Sequence, residues 1–317
     1  MVKNHIIKEI IDKAVFYHKN HKLKEATVEY LKLIEIKPDF IDAMFNLGNI
    51  YIQLNKYKLA KNYFEKIISL EANNEKALNS LAITHYNMRE VEKAKFFFQK
   101  IINLNINNYQ AYYNLGNILN EEEEYEEAIK LFEKCIKINP NHSNAYNNMG
   151  LAYNKLSLTD EAKKYLEISL KINPNNFYSY NNLGIVHDNT YNTPEAKKNF
   201  KKAISINDKF VEAWWNLHCC SKNNKEALEI LEKIHKIDNK HLKATILISA
   251  IKGFNGDLEQ YKKLINSNDN THPYLRSVKW VLSLRKLPKL FFNKWDLFDY
   301  VSKLSDTKKP FYEFANL

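Results

Sequence analysis

Apolar residues in the stretch 143–176 fall into two stripes, Tyr146, Met149 and Tyr153, then Ala162, Leu166 and Ile172. Spacings of three and four in the first set, and of four between Ala162 and Leu166, give each half one apolar helix face, so the stretch predicts two amphipathic helices. The break around Ser157–Asp160 is read as a turn carrying an N-cap. Pro38, Pro140 and Pro174 follow the second helix, where proline can begin the next helix but cannot continue the last.

The same phrase recurs along the chain. Ala26, Ala60, Ala94, Ala128, Ala162 and Ala196 are separated by 34 residues every time, which predicts an array of stacked helical hairpins. In that register units run over 7–40, 41–74, 75–108, 109–142, 143–176 and 177–210. A seventh, 211–241, is three residues short, since its alanine is Ala227. A degenerate hairpin is expected over 242–271 and a tail over 272–317. No single hairpin buries both of its stripes, and stacking against neighbours does so. Gly48, Gly116, Gly150 and Gly184 share the eighth place with Ala14 and Ala82, where a side chain larger than methyl would hold the paired helices apart. Tyr30, Phe64, Phe98, Phe132, Leu166 and Phe200 are expected to fill the space between hairpins.

These residues carry a family resemblance. A large residue, Leu-Gly and Tyr, later Ala, an aromatic and Pro, on a frame of 34 residues, resembles the tetratricopeptide repeat. Unit 143–176 matches through Tyr146, Met149, Gly150, Tyr153, Ala162, Leu166 and Pro174, and Ile106 and Asp208 replace the closing proline elsewhere. The implied fold is all-α, a right-handed α-solenoid of about seven such hairpins.

The sixth place reads Asp12, Asn46, Ser80, Asn114, Asn148, Asn182 and Asn216, with Asn49 and Asn117 at the ninth. Place six lies about 200° from places four and eight, away from the buried stripe. Amides both donate and accept, which suits the backbone of an extended peptide without demanding a sequence. Tyr113, Tyr178 and Trp215 offer apolar contacts on the same groove. The column is similar to the asparagine ladder of O-linked N-acetylglucosamine transferases, which implies peptide-backbone binding. The lysine clamp of chaperone-tail binders is absent, because place five holds Phe45, Asn79, Tyr113, Asn147, Asn181 and Trp215.

Little points to catalysis. Four of the six glycines are the packing glycines of the repeat, and Gly253 and Gly256 follow no strand and precede no Gly-Lys-Ser/Thr. His218, Cys219 and Cys220, with His235 and His241 downstream, lack the spacing of a metal site, so neither metal nor cofactor is expected. The three cysteines do not make a secreted disulfide framework, and no long apolar run suggests a membrane span or leader, so the expected location is the cytoplasm.

Net charge is +10, and half of it sits after Asn270, where nine Lys or Arg stand against four Asp or Glu. Basic residues interleaved with aromatics there could contact nucleic acid or a membrane surface. Trp280, Leu284 and Leu287 stand at helical spacing and favour a cap on the last hairpin instead, and tail aromatics could also join two copies. The tail also resembles the lead-in of chains joining these repeats to a methyltransferase, with Phe311–Phe314 as the first strand and no glycine loop after it. The expected function is a non-catalytic scaffold binding a protein or peptide segment. The alternative is the targeting module of a glycosyl- or methyltransferase system whose catalytic domain is missing or on another chain.

Overall fold

The computed structural model describes residues 2–241 and, beyond them, 243–245, 247, 248 and 251. The described part is helical, without a strand among the described residues. The helices are α1 (Val2–Lys19), α2 (Leu23–Ile36), α3 (Ile41–Gln53), α4 (Tyr57–Leu70), α5 (Glu75–Asn87), α6 (Val91–Leu104) and α7 (Tyr109–Glu121). They continue as α8 (Tyr125–Ile138), α9 (Ser143–Lys155), α10 (Thr159–Ile172), α11 (Phe177–Asn189), α12 (Thr193–Ile206), α13 (Val211–Cys219) and α14 (Asn224–Ile237). The chain divides into two compact units, the first ending at Asn182 and the second starting at Leu183.

In the first unit α1 packs on α2, α3 on α4, α5 on α6, α7 on α8 and α9 on α10, and each hairpin packs on the next. Buried Phe64, Phe98 and Phe132 stand at the same place of three second helices, each fully enclosed. Burying a phenylalanine contributes about 1.5–3 kcal/mol, so this column is a main source of cohesion. The glycine opposite is tighter than the sequence suggests, since even a methyl would not fit as packed. A Cβ on Gly116 would lie 2.8 Å from Phe132, and one on Gly150 would lie 2.7 Å from Leu166 Cγ and 3.1 Å from the Ala162 carbonyl. In the second unit α12 packs on α13 and α13 on α14, and a Cβ on Gly184 would lie 2.5 Å from Phe200.

The turns differ from expectation in two ways. Helix α10 starts after Leu158, which offers no side-chain cap, and Ser157 instead takes the left-handed conformation at φ 63°. His21, Asn55, Arg89, Glu123 and Tyr191 do the same at the corresponding place. The next N–H reaches back five residues, as in Glu124 N to Leu119 O at 2.9 Å, which closes the first helix with a Schellman turn. In the first unit side-chain caps sit at the other turn, where Asn74, Asn108 and His142 each accept a backbone N–H of the helix that follows, whereas Asn192 and Asn223 cap α12 and α14 from within the hairpin turn. Pro38, Pro140 and Pro174 lie in that turn, two residues past the last helical one, and do not begin the next helix.

The missing three residues of the seventh hairpin come out of its first helix. Helix α13 has 9 residues where α3, α5, α7 and α9 have 13. The tail 272–317 and Gly253 and Gly256 lie outside the described residues, as does most of the expected hairpin 242–271.

Candidate functional site

Stacked repeats place residues 35 apart side by side on consecutive first helices, and the amides use this. Asn114 Nδ2 donates to Asn79 Oδ1 at 3.3 Å, and Asn182 Nδ2 donates to Asn147 Oδ1 at 3.0 Å. Asn148 Nδ2 donates to Asn117 Oδ1 at 2.7 Å and to the Tyr113 hydroxyl at 3.4 Å. Asn147 Nδ2 in turn donates to Asn148 Oδ1 at 2.8 Å, and the buried Ser179 hydroxyl donates to Asn147 Oδ1 at 2.9 Å. The row of amides is therefore bonded from each hairpin to the one before it, along α5, α7, α9 and the start of α11.

This sorts the expected site residues. Asn148 has both its carbonyl and its amide group engaged inside the protein, so it acts as a strut. Asn114 and Asn182 each have one amide N–H and the carbonyl without a bond among the described residues. Asn46 and Asn49, half-buried on α3, make no side-chain hydrogen bond among the described residues. Tyr113 is half-buried, its ring 4.6 Å from that of His142 and 6.1 Å from that of Phe132, and is part of the packing more than a free apolar surface. Burial also holds the pKa of His142 below the usual histidine range. Tyr178 is exposed, its ring 4.2 Å from Phe177.

Asn216 and Trp215 belong to the second unit. Trp215 lies 5.5 Å from the His218 ring and 5.3 Å from the His241 ring, with Lys243 Nζ 6.0 Å over its face. In the same unit Cys220 Sγ lies 3.6 Å from Asp188 Oδ1, and burial pushes its thiol up to about 12. Among the described residues no group of three or more His, Cys, Asp or Glu could hold a metal ion, and no helix is long and apolar enough to cross a membrane.

The sequence reading missed place five. Asn79 and Asn147 accept the bonds that organise the row, and Asn147 is 6% exposed. The signal was present in the doublets Asn147–Asn148 and Asn181–Asn182. It also missed Tyr86, whose hydroxyl donates to the Glu121 carboxylate across α5 and α7. Burial and that carboxylate push the Tyr86 phenol up to about 12.

Models of the tetratricopeptide repeat match residues 41–74, 109–142, 131–164 and 178–207. The chain carries tetratricopeptide repeats. Two of these matches coincide with hairpins α3–α4 and α7–α8, in the frame set by the alanines. Two solved structures with TM-scores above 0.5 agree on the fold. A tetratricopeptide repeat protein from Parabacteroides merdae is 16% identical, covers 77% of this chain and 98% of that chain, and superposes with a TM-score of 0.65. Pseudomonas aeruginosa pilF is 19% identical over 67% of this chain and 96% of that chain, with a TM-score of 0.57. MamA is 27% identical over 52% of this chain and 91% of that chain, at a TM-score of 0.47. No curated protein matches the chain.

Proposed function

We propose that the protein is an interaction scaffold that holds an extended protein segment against the first helices of its repeats, on α3, α5, α7, α9 and the start of α11. The observation that carries this reading is the bonded amide row from Asn79 to Asn182. Internal bonds fix the orientation of the amides before a ligand arrives, which lowers the ordering cost of binding. Asn46, Asn49, Asn114 and Asn182 then meet the ligand backbone, while Asn147, Asn148 and Tyr113 hold the row in place. A peptide selected from a random display library for binding to the protein tests the reading by hydrogen exchange. Slowed exchange confined to α3, α5, α7, α9 and the start of α11 supports it. Protection confined to α4, α6, α8 and α10 would sink it.

A further inference from the structure

The amide row explains recognition of a backbone and leaves the choice of side chain unassigned. Between α5 and α7, beside the row, lies a pocket of about 140 Å³. A single water needs about 10–15 Å³ of such space, so the pocket takes a whole side chain. Its apolar walls come from Ile83, Phe98 and Ile118, and Asn114 and Asn117 of the row also line it. Glu121 is the one carboxylate in the lining, and no lysine or arginine lines it.

The charge of Glu121 is not neutralised by a neighbour. Among the described residues it joins no ion pair, while the adjacent Glu122 is held by Lys95 at 3.0 Å. Its Oε2 accepts the Tyr86 hydroxyl, which fixes the carboxylate over the pocket, and its Oε1 has no bond among the described residues. The positive charge of Arg89 reaches Tyr86 without pairing with Glu121. An aliphatic slot that ends on an oriented, unpaired carboxylate is complementary to a long cationic side chain, whose methylenes pack while its head stays partly wet.

We propose that this pocket takes a lysine or arginine side chain of the bound segment, with its methylenes against Ile83 and Ile118 and its cationic end on Glu121 Oε1. The proposal rests on the reading of this face as the peptide-binding face.

The test pans one random peptide display library against wild type, Glu121→Gln and Glu121→Lys. Circular dichroism checks that the variants keep their helices, which the exposure of Glu121 favours. Wild type is expected to select peptides with lysine or arginine at one fixed position. Glu121→Gln should weaken a selected peptide about two- to fivefold, and Glu121→Lys about tenfold or more, with selection turned toward Asp or Glu at that position. Wild-type peptides that lose affinity on Asn114→Ala/Asn182→Ala but show no basic position, or bind Glu121→Lys equally well, overturn this pocket and leave the groove standing. An apolar residue enriched at that position overturns it likewise. Recovery of no peptide, or only of peptides indifferent to the asparagine variants, overturns both.

Discussion

Glu123 makes a sharp test of how the hairpin turns are built. It follows the C-cap of α7 at φ 65°, where the Cβ of an L-residue crowds the backbone, at a cost of about 1–2 kcal/mol. Its side chain is exposed and makes no hydrogen bond or ion pair among the described residues, so replacing it removes no contact. Glycine relieves the crowding but has more freedom to lose on folding, about 0.4–1 kcal/mol. Glu123→Gly should therefore stabilise the α7–α8 hairpin by about 0.5–1 kcal/mol. Glu123→Ala removes the same charge from the Glu121–Glu124 run but keeps the Cβ, so the difference between the two variants isolates the backbone. Repeat arrays open locally, so the readout is native-state hydrogen exchange of amides in α7 and α8 rather than a single melting point. Asn55→Gly, at the same place in α3–α4, should gain less because asparagine tolerates this conformation. If Glu123→Gly is no more stable than Glu123→Ala, the left-handed turn does not carry the assigned cost.

Gly150→Ala should destabilise by about 0.5–2 kcal/mol in urea unfolding: overpacking costs about 1–3 kcal/mol and the better helix former returns about 0.5–1. The Ala162 carbonyl cannot rotate away, so a neutral effect would show that α9 and α10 can separate freely. Asn147→Ala leaves the buried Ser179 hydroxyl and the Asn148 carbonyl without their partner and should cost about 1–3 kcal/mol, read as faster hydrogen exchange in α9. Tyr86 should ionise near pH 12, seen in the difference between the ultraviolet titrations of wild type and Tyr86→Phe. Since the raised pKa favours the neutral phenol in the folded state, its contribution is full below pH 10 and is lost as pH climbs from 10 toward 12.

The fold was legible because its two signals are strong. Alanines on a 34-residue frame and apolar stripes at helical spacing leave few other solutions, although the large residues expected between hairpins pack against the place-eight glycine of their own hairpin, as Phe132 does against Gly116. The turns were not legible. Place fifteen reads His21, Asn55, Arg89, Glu123, Ser157 and Tyr191, and only asparagine there advertises a left-handed residue. The array imposes that conformation on side chains that do not prefer it. For the amides, angular position on one helix put place six on an exposed face, whereas Asn46, Asn114, Asn148 and Asn182 are half-buried and Ser80 at the same place is buried. It could not reveal that the neighbouring repeat presents an acceptor 35 residues back, because such a bond depends on how hairpins stack. Asn148 accordingly reads as an exposed ligand in sequence and as a strut in three dimensions. Asn114 and Asn182 keep the capacity for a ligand that the sequence assigned to all of them.

The most direct measurement is the Kd of a display-selected peptide by fluorescence anisotropy for wild type, Asn114→Ala/Asn182→Ala, and Lys130→Ala on the exposed side of α8. Each lost amide contact is worth about 0.5–1.5 kcal/mol, so the double variant should bind about 5- to 150-fold more weakly while Lys130→Ala binds as wild type. Equal Kd values for wild type and the double variant, with helices intact, would contradict recognition of the segment by the amide row.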